Sequence, residues 1–201
     1  MKTEQSPERL VFFSDAVVAI ALTLLVLPLV DIVPELVASN GRPVDAFTEH
    51  QWQFYSFLLS FVVIGRQWLA HHKLFGQVRA YNRALLWLNL IWLLSIAALP
   101  FPTEMIGAFG TDHFTTVLYV GATLFSSAML SAMLLLIRGN PELTAHPGGI
   151  TDRWRMDSVG STLALVVGFV LVLLVPAASY YVLLLLAVPP QIARIRYGRD
   201  G

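Results

Sequence analysis

The segment that most constrains the fold is an apolar run near the start of the chain. From Leu10 to Val30 only Ser14, Asp15 and Thr23 are polar. At about 1.5 Å per residue, a helix of this length spans the ~30 Å hydrocarbon core of a bilayer. A charged residue at the bilayer centre costs about 2.5–3.5 kcal/mol, and although Asp15 lies nearer the helix start, it still needs a partner or a watery space. The run therefore predicts a transmembrane helix with a polar requirement near its beginning.

One stripe of this helix has a spacing that permits two interpretations. Ile20, Leu24, Leu27 and Asp31 fall at i, i+4, i+7 and i+11, and Thr23 lies beside them. The stripe is compatible with a lipid-facing helix whose single hydroxyl is satisfied locally. It is also compatible with a pore-lining helix that has an apolar constriction, which requires several copies around an axis.

The composition indicates that the whole chain belongs in a membrane. Of its 201 residues, 56% are hydrophobic and 13% are charged, about half the charged fraction of a soluble domain. We therefore predict an all-α polytopic membrane protein with a single transmembrane domain over residues 1–201. The net charge is zero and no dense basic tract is present, which argues against nucleic acid as a partner. The absence of cysteine excludes disulfides and Cys-ligated metals.

Six transmembrane helices are expected. Their approximate bounds are residues 10–30, 52–75, 84–99, 114–137, 159–175 and 178–195. The first is expected to be retained rather than cleaved as a signal peptide, and residues 31–49 are expected to form a loop. The third is expected to stop at Pro100. The sixth contains Pro189 and Pro190, so a hairpin that does not fully cross is the alternative.

The basic residues predict the orientation of these helices. If both termini are cytoplasmic, all of the 13 Lys and Arg residues lie inside except Arg42 and Arg66. Arg42 then lies outside, whereas Arg66 lies within the second span with no evident partner. The same orientation places Asp31 and Glu35 in an acidic outer vestibule, which would concentrate cations.

Polar residues near the inner ends of the first three spans predict an internal network. The candidate members are Arg9, Ser14 and Asp15 of the first span, Arg66, Gln67, His71, His72 and Lys73 of the second, and Asn89 of the third. An alternative is that Arg9, His71, His72 and Lys73 only extend into the lipid headgroups. Asp15 and Asn89 are too deep for that and are expected to be hydrogen-bonded inside the bundle. Because adjacent helical residues point about 100° apart, His71 and His72 are not expected to share a metal ion.

No pattern of catalytic residues stands out in the chain. It lacks a Ser-His-Asp order, a G-x-S-x-G motif, a phosphate-binding loop and paired carboxylates. We therefore expect neither an enzyme nor a cofactor. Two functions remain open: an ion channel lined by the first helix, and a proton-coupled secondary transporter that uses Asp15 and His72.

The sequence around Asp15 resembles a known family. From Arg9 to Leu27 it contains R-x-x-x-F-S-D followed by A-V-x-A-I-x-x-T-L-x-V-L. This pattern is similar to that of the transmembrane protein 175 family of endosomal and lysosomal potassium channels. Residues 68–75 and 88–103 fit the same family, and a single six-span repeat resembles its prokaryotic branch. The first motif is specific, because F-S-D inside a membrane span is costly and therefore rare.

This resemblance implies a potassium-preferring, weakly selective cation channel in the prokaryotic cell membrane. It implies a homotetramer, so the partners would be further copies of the chain, the lipid bilayer, and K⁺ with other monovalent cations as permeant ions. Ile20 would form the narrowest ring, with Leu24 and Leu27 above it and Thr23 as a hydroxyl layer. The first helix would be held against the second and third spans by Arg9, Ser14, Asp15, His72 and Asn89.

Overall fold

The computed structural model describes residues 7–145, 149–187, 189 and 191. Apart from an isolated backbone bridge between Val78 and Thr144, the regular structure in these residues is helical, in agreement with the predicted all-α class. The α-helices are α1 (Glu8–Leu24), α2 (Leu27–Ala38), α3 (Asp45–Glu49), α4 (Gln51–Phe75), α5 (Arg83–Ala98), α6 (Pro100–Phe109), α7 (His113–Gly139) and α8 (Asp152–Leu174). Two 3₁₀ segments follow α7 and α8, at Pro141–Leu143 and Pro176–Ala187.

Four helical stretches in the described residues are long and apolar enough to cross a membrane. They are Glu8–Ala38, Arg83–Phe109, His113–Gly139 and Asp152–Leu174. The predicted second span exists as the 25-residue helix α4, but polar residues such as Arg66 and His71 lower its hydropathy, and it is not among the four. The predicted sixth span, 178–195, extends beyond the described residues, and its described part is a short apolar helix.

The prediction of a loop from residue 31 onward is wrong. α1 ends at Leu24, but α2 begins at Leu27 and continues past Asp31 to Ala38. Pro28 is compatible with this helix because it lies in the first turn, where a missing N–H costs no hydrogen bond. The first apolar helix is therefore one long stretch with a break at residues 25–26.

The predicted stop at Pro100 is also only partly right. α5 ends at Ala98, but α6 begins at once with Pro100 in its first turn, for the same reason as at Pro28. At its other end α5 is capped by Asn82, whose Oδ1 accepts the Leu85 N–H at 2.8 Å. α5 and α6 thus form a bent pair rather than a helix and a loop.

Helix α7 lies at the centre of the packing and contacts α4, α5, α6 and α8. The main core brings together fully buried side chains such as Trp92 of α5, Ile64 of α4 and Met133 of α7. Val18 and Leu25 attach α1 to this core. α7 and α8 approach closely at Gly121, where an added Cβ would lie 3.2 Å from the Phe169 ring. The polar groups discussed below are positioned by this core.

Candidate functional site

One face of α1 is packed and the opposite face is open. Val18, Ala21 and Leu25 are buried against the neighbouring helices. Ile20 and Leu27, which the sequence placed on one stripe, are 60% and 52% exposed. Leu24 and Thr23 are exposed on the same face. The stripe identified from spacing is therefore the part of the first helix that this chain leaves uncovered.

The uncovered face is apolar over most of its length. It extends from Phe12 and Phe13, past the stripe, to Asp31 and Glu35, which are also exposed. Apolar surface of this extent is normally covered by lipid or by another protein surface. Thr23 is the hydroxyl residue of the stripe, and its Oγ1 donates to the Ile20 carbonyl at 2.8 Å.

Behind this face, a chain of buried hydrogen bonds joins α1, α5 and α4. Asn89 Nδ2 donates to Ser14 Oγ at 3.0 Å, and Ser14 Oγ donates to the Leu10 carbonyl at 2.8 Å. Asn89 Oδ1 lies 2.7 Å from His71 Nε2, so the imidazole donates through that nitrogen. Asn89, Ser14 and His71 are all fully buried. The chain connects three helices across the interior in the first half of the sequence.

The histidine that donates to Asn89 is His71, whereas the family resemblance implies His72 in this network. The His71 ring is stacked between Trp92 and Phe75, with ring centroids 4.1 and 4.3 Å away. His72 instead lies on the exposed side of α4, with its ring 5.5 Å from that of Trp68. The proposal that His71 only extends into the headgroups is therefore wrong. A rotation of about 100° between neighbouring residues decides which histidine faces the core.

Asp15 has a partner that the sequence analysis did not identify. The Trp68 indole N–H donates to Asp15 Oδ1 at 2.8 Å, and both side chains are partly buried. Arg9, also assigned to this network, is exposed and makes no hydrogen bond or ion pair within residues 7–145 and 149–187. The partly buried Asp15 carboxylate thus accepts a hydrogen bond from an indole rather than from a cation or a histidine.

The positions of Trp68 and His71 could have been derived from helical spacing. Ile64, Gln67, His71 and Phe75 lie at i, i+3, i+7 and i+11, and all four are buried. Trp68 borders the same face. The helical spacing alone therefore predicts that Trp68 and His71 lie on or beside the buried face of α4. Charged and aromatic residues at the end of a span are commonly interpreted as interface anchors, so the face is easily missed.

Arg66, which had no evident partner in the sequence, contacts α8. Its guanidinium donates to Ser161 Oγ at 3.0 Å. The adjacent Gln67 donates to Ser126 of α7 at 2.7 Å. These two contacts connect α4 to the second half of the chain.

A cavity of about 320 Å³ lies next to the break between α1 and α2. Leu24 and Leu27 of the stripe contribute to its walls, together with Pro100 of α6. The carboxylates of Asp31 and Glu104 also line it. Leu25, within the break, also lines this space while it packs in the main core.

Asp45, at the start of α3, is hydrogen-bonded to Arg42. The Arg42 guanidinium donates to Asp45 Oδ1 at 2.8 Å and the Arg42 amide donates to Oδ2 at 2.7 Å. These hydrogen bonds hold the pKa of Asp45 below its ordinary value. In the part of the chain with assigned structure, no group of three His, Asp or Glu side chains could hold a metal ion.

Comparison with known proteins identifies relatives of the first half of the chain. The family model described as the endosomal/lysosomal potassium channel TMEM175 matches residues 9–100. A potassium channel of Streptomyces collinus is 37% identical over 125 residues, which are 61% of this chain and 57% of that protein. A potassium channel of a Chryseobacterium species is 34% identical over 128 residues, or 63% of this chain and 62% of that protein. The chain thus matches about three fifths of the length of these relatives.

A solved structure extends the likeness to the whole fold. The crystal structure of a lysosomal potassium-selective channel TMEM175 homolog from Chamaesiphon minutus superposes with a TM-score of 0.71. The match covers 94% of this chain and 96% of that one at 21% identity. Together these matches confirm the resemblance noted at Arg9 to Leu27, and the matched relatives are channels rather than enzymes.

Proposed function

We propose that this chain, whose residues 9–100 match the TMEM175 family, forms a potassium-preferring cation channel. The single observation that carries the proposal is the open face of α1, whose opposite face is anchored to the bundle. Four subunits would meet along this face and leave a central ion path. The matched potassium channels support a channel, which needs a helix face along its ion path.

The constriction would be formed by rings of apolar side chains. Ile20 would be the narrowest ring, followed by Leu24 and Leu27. Apolar constrictions exclude water when they are narrow and conduct when they widen. Because isoleucine offers an ion no oxygen to replace its hydration shell, selectivity is expected to be weak.

Thr23 would supply the modest preference for potassium. Its hydroxyl hydrogen is already donated to the Ile20 carbonyl at 2.8 Å. The remaining lone pairs of Oγ1 are therefore free to face a cation. A ring of four such oxygens would add favourable contacts just above the narrowest point.

The proposed topology has six spans with both termini in the cytoplasm of a prokaryotic cell. The distribution of Lys and Arg supports this orientation. In it, Asp31 and Glu35 lie at the outer mouth, where their charge would concentrate cations. α4 would serve as the second span because its polar face is turned inward to Asn89, Ser126 and Ser161.

The experiment compares Ile20→Asn with Leu94→Asn after reconstitution into planar bilayers. Leu94 of α5 is 70% exposed and lies outside the stripe, so it is the matched control. We expect Ile20→Asn to raise conductance and to alter the K⁺ to Na⁺ permeability ratio, whereas Leu94→Asn leaves both unchanged. Equal behaviour of the two variants would show that Ile20 does not line the path.

The same preparation distinguishes the channel from a proton-coupled transporter. A transporter based on Asp15 and His72 would give slow, saturable flux that depends on a pH gradient. A channel gives discrete single-channel steps and a reversal potential set by the ion gradients. The hydrogen bond of Asp15 to Trp68 rather than to His72 favours the channel.

A further inference from the structure

A second cavity, of about 270 Å³, has walls made largely of aromatic rings. Trp52, Tyr55, Tyr180 and Tyr181 line it, and none of its lining residues belongs to α1 or α2. The Trp52 and Tyr55 rings are nearly perpendicular, with centroids 5.6 Å apart. The Tyr55 and Tyr180 rings are inclined at 52° with centroids 6.0 Å apart. The Trp52 and Tyr180 rings are therefore both inclined to the Tyr55 ring.

Gln51, Thr111 and Ser179 are the non-aromatic residues that line this cavity, and Ser179 is the buried one of the three. Ser179 is 8% exposed, and its Oγ is buried without a hydrogen-bond partner in the described residues. Its φ of 41° lies in the left-handed region, which is uncommon for a residue other than glycine. Backbone strain of this kind concentrates at ligand sites, and a buried hydroxyl without a partner calls for an additional group.

The charge of the walls restricts the kind of ligand. None of the described lining residues is Lys, Arg, Asp or Glu, so the electrostatic character comes from the ring faces together with the dipoles of Gln51, Thr111 and Ser179. The ring faces carry partial negative charge and attract cations. An anion would find no counter-charge, and a quaternary ammonium would leave Ser179 without a donor. An ammonium group that retains an N–H satisfies both the rings and the serine.

We propose that this cavity binds a primary organic ammonium group, with the charge over the aromatic rings and an N–H donated to Ser179 Oγ. The cavity volume is at the small end for ligand sites, which suits a compact cation. The group could be carried by a free alkylamine or by the ethanolamine headgroup of a phospholipid. The inference is independent of ion conduction, because none of its observations involves the α1 stripe.

The test measures ligand binding to the full-length protein in detergent micelles by saturation-transfer difference NMR. Cyclohexylamine is the probe, cyclohexanol is its neutral analogue of the same shape, and tetramethylammonium is a cation without an N–H. We expect cyclohexylamine to bind about tenfold more tightly than either comparison compound. Equal binding of cyclohexanol or of tetramethylammonium would overturn the proposal.

Three variants connect the binding to the cavity. Ser179→Ala should weaken cyclohexylamine binding about tenfold, since it removes an acceptor for a charged donor. Tyr181→Leu should weaken cyclohexylamine binding about threefold, because one aromatic ring is lost. Tyr181 is 76% exposed, so its replacement should not disturb the fold. Phe114→Leu removes an exposed aromatic outside the cavity and should leave binding unchanged. Wild-type affinity in both Ser179→Ala and Tyr181→Leu would refute the site.

Mass spectrometry of the protein released from nanodiscs distinguishes the two sources of the ammonium group. Retention of phosphatidylethanolamine that is lost in Ser179→Ala identifies a lipid headgroup. Cyclohexylamine binding without retained lipid identifies a free amine as the ligand. Equal retention of phosphatidylcholine and phosphatidylethanolamine would contradict the need for an N–H.

Discussion

The hydrogen bonds of Asn89 should make a measurable contribution to stability, and the contribution should depend on His71. Asn89→Leu leaves the His71 N–H without an acceptor and removes a donor to Ser14. Two hydrogen bonds inside a membrane protein are worth about 0.6 kcal/mol each on average. An unpaired buried N–H adds about 1–3 kcal/mol. We therefore expect Asn89→Leu to lower the free energy of unfolding by about 2–4 kcal/mol.

A double-mutant cycle separates the pairwise interaction from other effects of the substitutions. His71→Phe retains an aromatic ring between Trp92 and Phe75, with ring centroids at 4.1 and 4.3 Å in the native chain. Replacing both partners with apolar groups leaves no unpaired N–H, so the double variant should be less destabilised than the sum of the single variants. The expected coupling energy is about 1–2 kcal/mol.

The assay is equilibrium unfolding in mixed micelles of sodium dodecyl sulfate and dodecyl maltoside, followed by circular dichroism. His72→Phe is the matched control, because His72 is the adjacent histidine but lies on the exposed side of α4. Asn89→Leu and His72→Phe should be additive. Coupling of Asn89 to His72 rather than to His71, or additivity in both cycles, would refute the proposed geometry.

Three further predictions concern other contacts. Trp68→Phe should lower the free energy of unfolding by about 1.5–3 kcal/mol, measured in the same micelles, because the Asp15 carboxylate loses its donor; an unchanged value would contradict this bond. Gly121→Val should lower the free energy of unfolding by about 1–3 kcal/mol, because an added Cβ lies 3.2 Å from Phe169. Gly65→Val is the control: an added Cβ there has no neighbour within 4 Å and should show no steric cost. The Arg42 amide should be protected from hydrogen exchange at pH values above the ordinary pKa of Asp45, and it should lose this protection as the pH falls through the lowered pKa of Asp45. Asp45→Asn should abolish this pH dependence. The exchange rate of the Arg42 amide is followed by NMR.

Several properties of this protein follow from the sequence because they depend on local spacing and composition. The apolar run around Asp15 predicts a membrane helix, since the cost of exposing polar groups to lipid acts on each residue where it stands. The spacing of Ile20, Leu24 and Leu27 predicts one continuous stripe, because the helical period fixes the face on which each residue lies. The F-S-D motif at residues 13–15 is local in the same sense, and it was sufficient to indicate the family.

Other properties were decided by contacts between distant parts of the chain. Whether Asn89 meets His71 or His72 depends on how α4 is rotated about its axis, and that rotation is set by the packing of Ile64 and Phe75 in the core. Trp68 reaches Asp15 across 53 positions, and Arg66 reaches Ser161 across 95. The continuation of α2 past Asp31 to Ala38, with Pro34 inside the helix, likewise required the whole structure. Long-range packing selects among the partners that local patterns permit, which is why the sequence predicted the helix and its stripe while the tertiary structure determined what holds that helix in place.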